Sequence, residues 1–168
     1  MKYNLIIILL TFTLIVYSQN KLTNEIDKYV KNIESNPELK VSEYDWNKIT
    51  ESQVDHGATL RIWKVKSQIV KVEEQFGTSY GRYTRLIYLK NSKPKKGVEI
   101  EENFELKNNE IDYSNLKTQF KMQIYVTGLN ELIGEYEFET KEEGQRKATE
   151  PYCDLNDLFA ILNEITEL

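Results

Sequence analysis

The chain has one cysteine, Cys153, and one histidine, His56, among 168 residues, and each scarcity closes off a class of chemistry. A lone cysteine forms no disulfide within its own chain, so the fold must stand on packing. One cysteine and one histidine cannot build the usual zinc cages, and no metal or other cofactor is expected. The sequence also lacks a phosphate-binding G-x-x-x-x-G-K, a dinucleotide fingerprint and a calcium loop. The nearest approach to a nucleophile elbow, Gly77-Thr-Ser-Tyr-Gly81, falls between two expected strands, whereas an elbow joins strand to helix, so a hairpin loop is expected there. An excess of positive charge is missing too. The formal charge is -5, and -6 once Lys2 leaves with the leader described next, which argues against nucleic acid or an anionic membrane as partner.

One apolar run stands out, Leu5 to Tyr17, preceded by Lys2 and followed by Ser18-Gln19-Asn20. That order of charged, apolar and small polar residues is the pattern of a secretory signal peptide. A membrane-spanning helix needs about 20 apolar residues, and this run is too short for that. Val16-Tyr17-Ser18 offers small residues at the positions a signal peptidase reads, so residues 1–18 are expected to leave and Gln19 to become the first mature residue. An uncleaved anchor is the alternative. No cysteine follows the cut to take a lipid, and no stable membrane anchor is expected after cleavage. The remainder, 19–168, is close to the commonest size of one domain. The expected location is the periplasm or the medium.

Within that domain Leu22, Ile26, Tyr29, Val30 and Ile33 fall on one stripe of a helix over about 22–34, capped by Thr23 or Asn20 and ended at Asn36-Pro37. Residues 36–56 have no clear period and form a connector with room for one short turn or strand. After Gly57 the composition turns β-branched and aromatic, and Thr59–Lys66, Ile69–Phe76, Arg82–Leu89 and Gly97–Phe104 read as successive strands. Val98, Ile100 and Phe104 alternate with Glu99, Glu101 and Asn103, as in a sheet wet on one side. Phe120, Met122, Ile124 and Val126 repeat the pattern, as do Tyr136 and Phe138, with a turn expected at Thr127–Asn130. Residues 105–116 and 140–150 are polar enough for loops. Asp154 then caps a second helix whose stripe is Leu155, Leu158, Phe159, Leu162 and Ile165. The expected fold is α+β, an antiparallel meander of about six strands with the N-terminal and C-terminal helices packed on its dry face.

Candidate functional residues are few. Cys153 reads as a packed thiol and His56 as a solvated loop residue. The paired acids Glu73-Glu74, Glu101-Glu102 and Glu142-Glu143 cannot act in pairs on a strand, since neighbours face opposite sides, and they read as a solvated face. Lys90, Lys93, Lys95 and Lys96 concentrate positive charge at a hairpin tip, with Arg82 and Arg85 on the strand before it. With Tyr125 on the expected wet face, these seven residues form the candidate contact for an acidic protein or a glycan.

The stretch Gly57-Ala-Thr-Leu-Arg-Ile-Trp-Lys-Val-Lys66, then Ile69-Val-Lys-Val-Glu-Glu74, then Gly81-Arg-Tyr-Thr-Arg-Leu-Ile-Tyr-Leu-Lys90 resembles a pattern of exported, uncharacterised bacterial proteins. Those carry a leader, a helix and a meander with a tyrosine-rich strand and a lysine-containing turn. The resemblance covers about a third of the chain and implies export and architecture, with no activity attached. Lys95-Lys96 stands where those proteins have an apolar strand. The function expected is a non-catalytic exported binding module. A small hydrolase is the first alternative, its sign a cleft in which His56 meets an acid or Cys153; an inhibitor or toxin-neutralising protein is the second, its sign a large acidic patch.

Overall fold

The computed structural model describes residues 21–46, 48, 56–108, 110–130 and 135–146. The expected signal peptide at 1–18 and the expected C-terminal helix lie outside them, as does Cys153. The chain divides into two compact units, Met1–Pro37 and Glu38–Leu168.

The first unit contains helix α1, residues 21–34. Its stripe is the expected one: Ile26 and Ile33 are buried, and Leu22, Tyr29 and Val30 are half-buried. Burial pushes the Tyr29 phenol up from its ordinary value, because the phenolate would lose water. Thr23 is not the cap; it lies inside the helix and is buried. The last turn closes through the Ser35 backbone N–H, which donates to the Lys31 carbonyl at 3.1 Å while the Ser35 hydroxyl donates to the same oxygen at 2.9 Å. Pro37 follows and prevents continuation.

The second unit is one antiparallel sheet of seven strands in sequence order: β1 (Leu39–Asp45), β2 (Ala58–Val65), β3 (Gln68–Thr78), β4 (Gly81–Lys90), β5 (Lys93–Lys107), β6 (Glu110–Asn130) and β7 (Glu135–Gly144). Strand makes up 73% of the described residues and helix 14%, so the described architecture is mostly β with one helix, in place of α+β with two. Strands β2 to β5 lie where the β-branched runs placed them. The seventh strand is β1, in the stretch expected to be a connector with room for one short turn or strand. Its residues pair along their whole length with β2, from Leu39 opposite Val65 to Asp45 opposite Thr59, so pairing overrides the weak periodicity.

Three loop expectations also fail for one reason, that polar strands pair with each other. Residues 105–107 and 110–116 extend the β5–β6 ladder to Lys107 opposite Glu110, residues 140–144 pair with β6, and Thr127–Asn130 continues β6 past a bulge between Val126 and Gly128 instead of turning. The Asn91-Ser92 turn has both residues at positive φ, 53° and 59°, the mirror-image geometry that matches strand twist in two-residue hairpins. Pro94 enters β5 at the bulge between Tyr88 and Leu89, one of the few places in a sheet that tolerates a missing N–H.

Cross-strand partners share a face, so the register sorts side chains into rows. One face carries Ile62, Val72, Ile87, Gly97 and Ile124 in a single row, the centre of a core with Trp46, Leu60, Leu89, Phe120 and Met122. Each such aliphatic side chain withdrawn from water contributes about 1.5–3 kcal/mol. The Trp46 ring meets Phe76 edge-on at 5.4 Å.

Candidate binding groove

The face expected to be wet is covered. Glu99 is 0% exposed, Glu101 1% and Asn103 6%, and Glu74 on β3 is 0% exposed. They share the core face with Ile62 and Ile87, in rows that run Leu60, Glu74, Arg85, Glu99, Met122 and Phe76, Tyr83, Glu101, Phe120. Arginine makes this burial tolerable. Arg85, itself buried, sits 2.7 Å from Glu74, and Arg146 donates to both oxygens of Glu99 at 2.6 and 3.0 Å while its guanidinium lies 4.4 Å from the Phe120 ring centroid. The expected solvated acids therefore divide: Glu74 and Glu101 are interior, and Glu142 and Glu143 are exposed.

On the opposite face one row alternates ring and cation across five strands: Trp63, Lys71, Tyr88, Lys96, Tyr125. The Lys71 ammonium is 4.3 Å from the Trp63 ring and 5.6 Å from Tyr88; Lys96 is 4.4 Å from Tyr125 and donates to Gln123 at 2.7 Å. This placement corrects the candidate contact surface. Arg85 is buried on the core face, and Lys96 and Tyr125 are buried in the ring and cation row, so these three are not surface residues. Lys90 and Lys93 are exposed at the β4–β5 turn, Lys95 is half-exposed at the bulge, and Arg82 is half-exposed some distance along β4. The structure does not gather the seven into one patch. Exposed acids, by contrast, do concentrate on β7, at Glu135, Glu137, Glu142 and Glu143.

On the same face as the ring and cation row, toward the β1 C-terminal end, lies an open groove of about 580 Å³ lined by Glu43, Asp45, His56, Thr59, Gln75, Arg82, Phe104 and Leu116, with Gly57, Gly77 and Gly81 among the backbone that bounds it. Register explains the assembly. Asp45, Thr59, Gln75 and Thr84 form one row, Gly77 and Arg82 the next, and Phe104 stands opposite Leu116. Two glycines are fixed by close approach: a Cβ on Gly77 would lie 2.3 Å from the His56 carbonyl oxygen and one on Gly81 would lie 1.9 Å from that of Glu102. The Gly77 N–H donates to the Gly57 carbonyl at 2.9 Å, which ties the His56-Gly57 entry of β2 to β3.

The charged residues of the groove are held by cross-strand partners on the same face. Arg61 donates to Glu43 through Nε and to Glu73 through a terminal nitrogen, both at 2.7 Å, and these two hydrogen bonds raise its guanidinium pKa further. Arg82 donates through Nε to Glu102. Among the described residues His56 is exposed and makes no hydrogen bond or ion pair, and no group of three or more His, Cys, Asp or Glu is placed to hold a metal. Ser79, in the turn between Gly77 and Gly81, is exposed beside the groove wall.

No family model, curated protein or solved structure matches the chain.

Sequence reasoning named His56 and Arg82 but missed Glu43, Asp45, Thr59, Gln75, Phe104 and Leu116. Their only shared signal is the register of six strands, β1 to β6, which no local motif encodes.

Proposed function

We propose that this protein is an exported, non-catalytic binding module that takes a small polar ligand into the groove between Asp45 and Arg82. The observation that carries the reading is the groove itself: its volume lies in the range of about 300–1,000 Å³ typical of ligand sites, and it offers carboxylates, a guanidinium, a hydroxyl and an amide at fixed register. Export rests on the leader read in residues 1–18 and accords with the finding that no helix among the described residues is long and apolar enough to cross a membrane. The covering of the sheet by the C-terminal helix belongs to the same proposal.

One observation favours hydrolysis as a second reading, that His56 shares the groove with Asp45 and Glu43 and lies beside the turn that bears Ser79. A general base must come within hydrogen-bond reach of the proton it takes, and side chains at such a mouth can close that distance when a substrate enters.

Because His56 is the only histidine, its ring protons give one resolved reporter for the groove. An NMR titration of the isolated protein with separate mixtures of peptides, amines, sugars and nucleotides is expected to move the His56 ring signals together with the Thr59 and Gln75 amides. If no mixture moves them, the groove is not a ligand site. If a compound is consumed while the spectra are recorded, the hydrolase reading replaces the binding one.

A further inference from the structure

The groove is polarised along its length, and the polarity names a ligand class. At the β1 end Glu43 and Glu73 share one guanidinium, that of Arg61, so this row carries an excess of negative charge. Asp45, two residues on, adds another carboxylate, whose lysine neighbour Lys48 is 3.6 Å away and largely in water. An ammonium group is the natural complement of that end. At the other end Arg82 stands on β4. Its Nε is committed to Glu102, which fixes the guanidinium plane, and among the described residues its two terminal nitrogens have no partner. A planar pair of N–H donors held in this way suits a carboxylate bound through both oxygens. Beyond Arg82 the lining becomes apolar, with Phe104 and Leu116. Between the ends lie Thr59 and Gln75, a hydroxyl and an amide able to serve groups that both donate and accept.

Adjacent strands are about 4.8 Å apart and residues along a strand about 3.4 Å, so the three steps from β1 to β4, taken with the two-residue offset of Arg82 from the Asp45 row, separate the two ends by about 16 Å. An extended peptide advances about 3.4 Å per residue, and about four residues, with a hydrogen bond at each end, cover that span. We propose that the groove receives a short peptide of about four residues lying across the strands, its free amino terminus at Glu43 and Asp45, its carboxylate on Arg82 and an apolar final side chain against Phe104 and Leu116. The inference rests on the binding-groove reading and assigns its ligand.

The test uses a fully randomised tetrapeptide library in three forms, with free termini, N-acetylated and C-amidated, passed over the immobilised protein and over its Asp45→Asn and Arg82→Gln variants, with retained peptides quantified by mass spectrometry. Free peptides should be retained at least 10-fold more than either capped form, with leucine-like residues enriched at the last position. The penalty for acetylation should vanish in Asp45→Asn and that for amidation in Arg82→Gln. Capped peptides retained as well as free ones, or penalties unchanged in the variants, overturn the proposal. If Arg82→Gln does not fold, the Asp45→Asn half of the comparison decides alone, since Asp45 is at an exposed edge. Absence of any retained peptide while sugars or nucleotides move His56 overturns the peptide and keeps the groove; silence of His56 toward every mixture removes both.

Discussion

Arg85→Met should be among the most damaging single changes in the sheet. Arg85 stands directly between Glu74 and Glu99 in register, and its guanidinium is 2.7 Å from a Glu74 carboxylate that is 0% exposed. Glu99 retains Arg146 on both oxygens, so the loss falls on Glu74. Breaking a buried ion pair by removing one partner costs about 3–5 kcal/mol, against a total stability of about 5–15 kcal/mol. With a urea dependence of about 2 kcal/mol per molar for a domain of this size, the midpoint of unfolding should fall by about 1.5–2.5 M. The companion is Glu74→Met with Arg85→Met. Replacing both charges by apolar groups of similar length removes the stranded carboxylate, and the double variant should recover most or all of the lost stability. Urea titrations followed by tryptophan fluorescence would report both, since Trp46 is in the same core. A loss under about 1 kcal/mol in Arg85→Met, or a double variant as weak as the single, would refute the view that Arg85 is what permits Glu74 to be buried. Should the single variant fail to fold, recovery in the double decides.

Two further outcomes are expected. Asp112 accepts from the Ser114 hydroxyl at 2.5 Å and from its backbone N–H at 3.0 Å, and these bonds hold its carboxyl below the ordinary value of 3.8. Because the folded value is the lower one, whatever Asp112 contributes to the β5–β6 tip is present above 3.8 and is lost as pH falls through the depressed value; carboxyl-carbon NMR should show this, and Ser114→Ala should return the midpoint toward 3.8. Mass spectrometry of protein recovered from its host should find Gln19 at the amino terminus, and an intact Met1 or Lys2 would end the export proposal.

The alternation of Val98 and Ile100 with Glu99 and Glu101 disclosed a strand and its two faces, but period says nothing of which face is covered. Charge on a strand suggests water, whereas Glu74 and Glu99 lie inside because Arg85 on the next strand and Arg146 are there to meet them, a fact that sequence distance hides. The β2 to β5 run was legible because β-branched residues and turn formers mark it locally. Strand β1 and the long arms of β5 and β6 were not, since polar residues such as Ser42 and Asp112 take extended form only through the partner strand. The groove was still less legible. His56 could be noticed as a rare residue, but Asp45 and Arg82 become neighbours across a site only once four strands are in register.

The strictly sequential order of the sheet also bears on how the molecule forms. Every strand from β2 onward pairs with the one made just before it, and no connection crosses over another. A chain emerging amino end first, from a ribosome or through a translocation channel, thus always finds the template for its newest segment already outside. Hairpins close in about 1–10 μs, far faster than synthesis supplies residues. The sheet can therefore grow by accretion at one edge, and the segment vulnerable to wrong pairing at any moment is a single strand rather than half a domain.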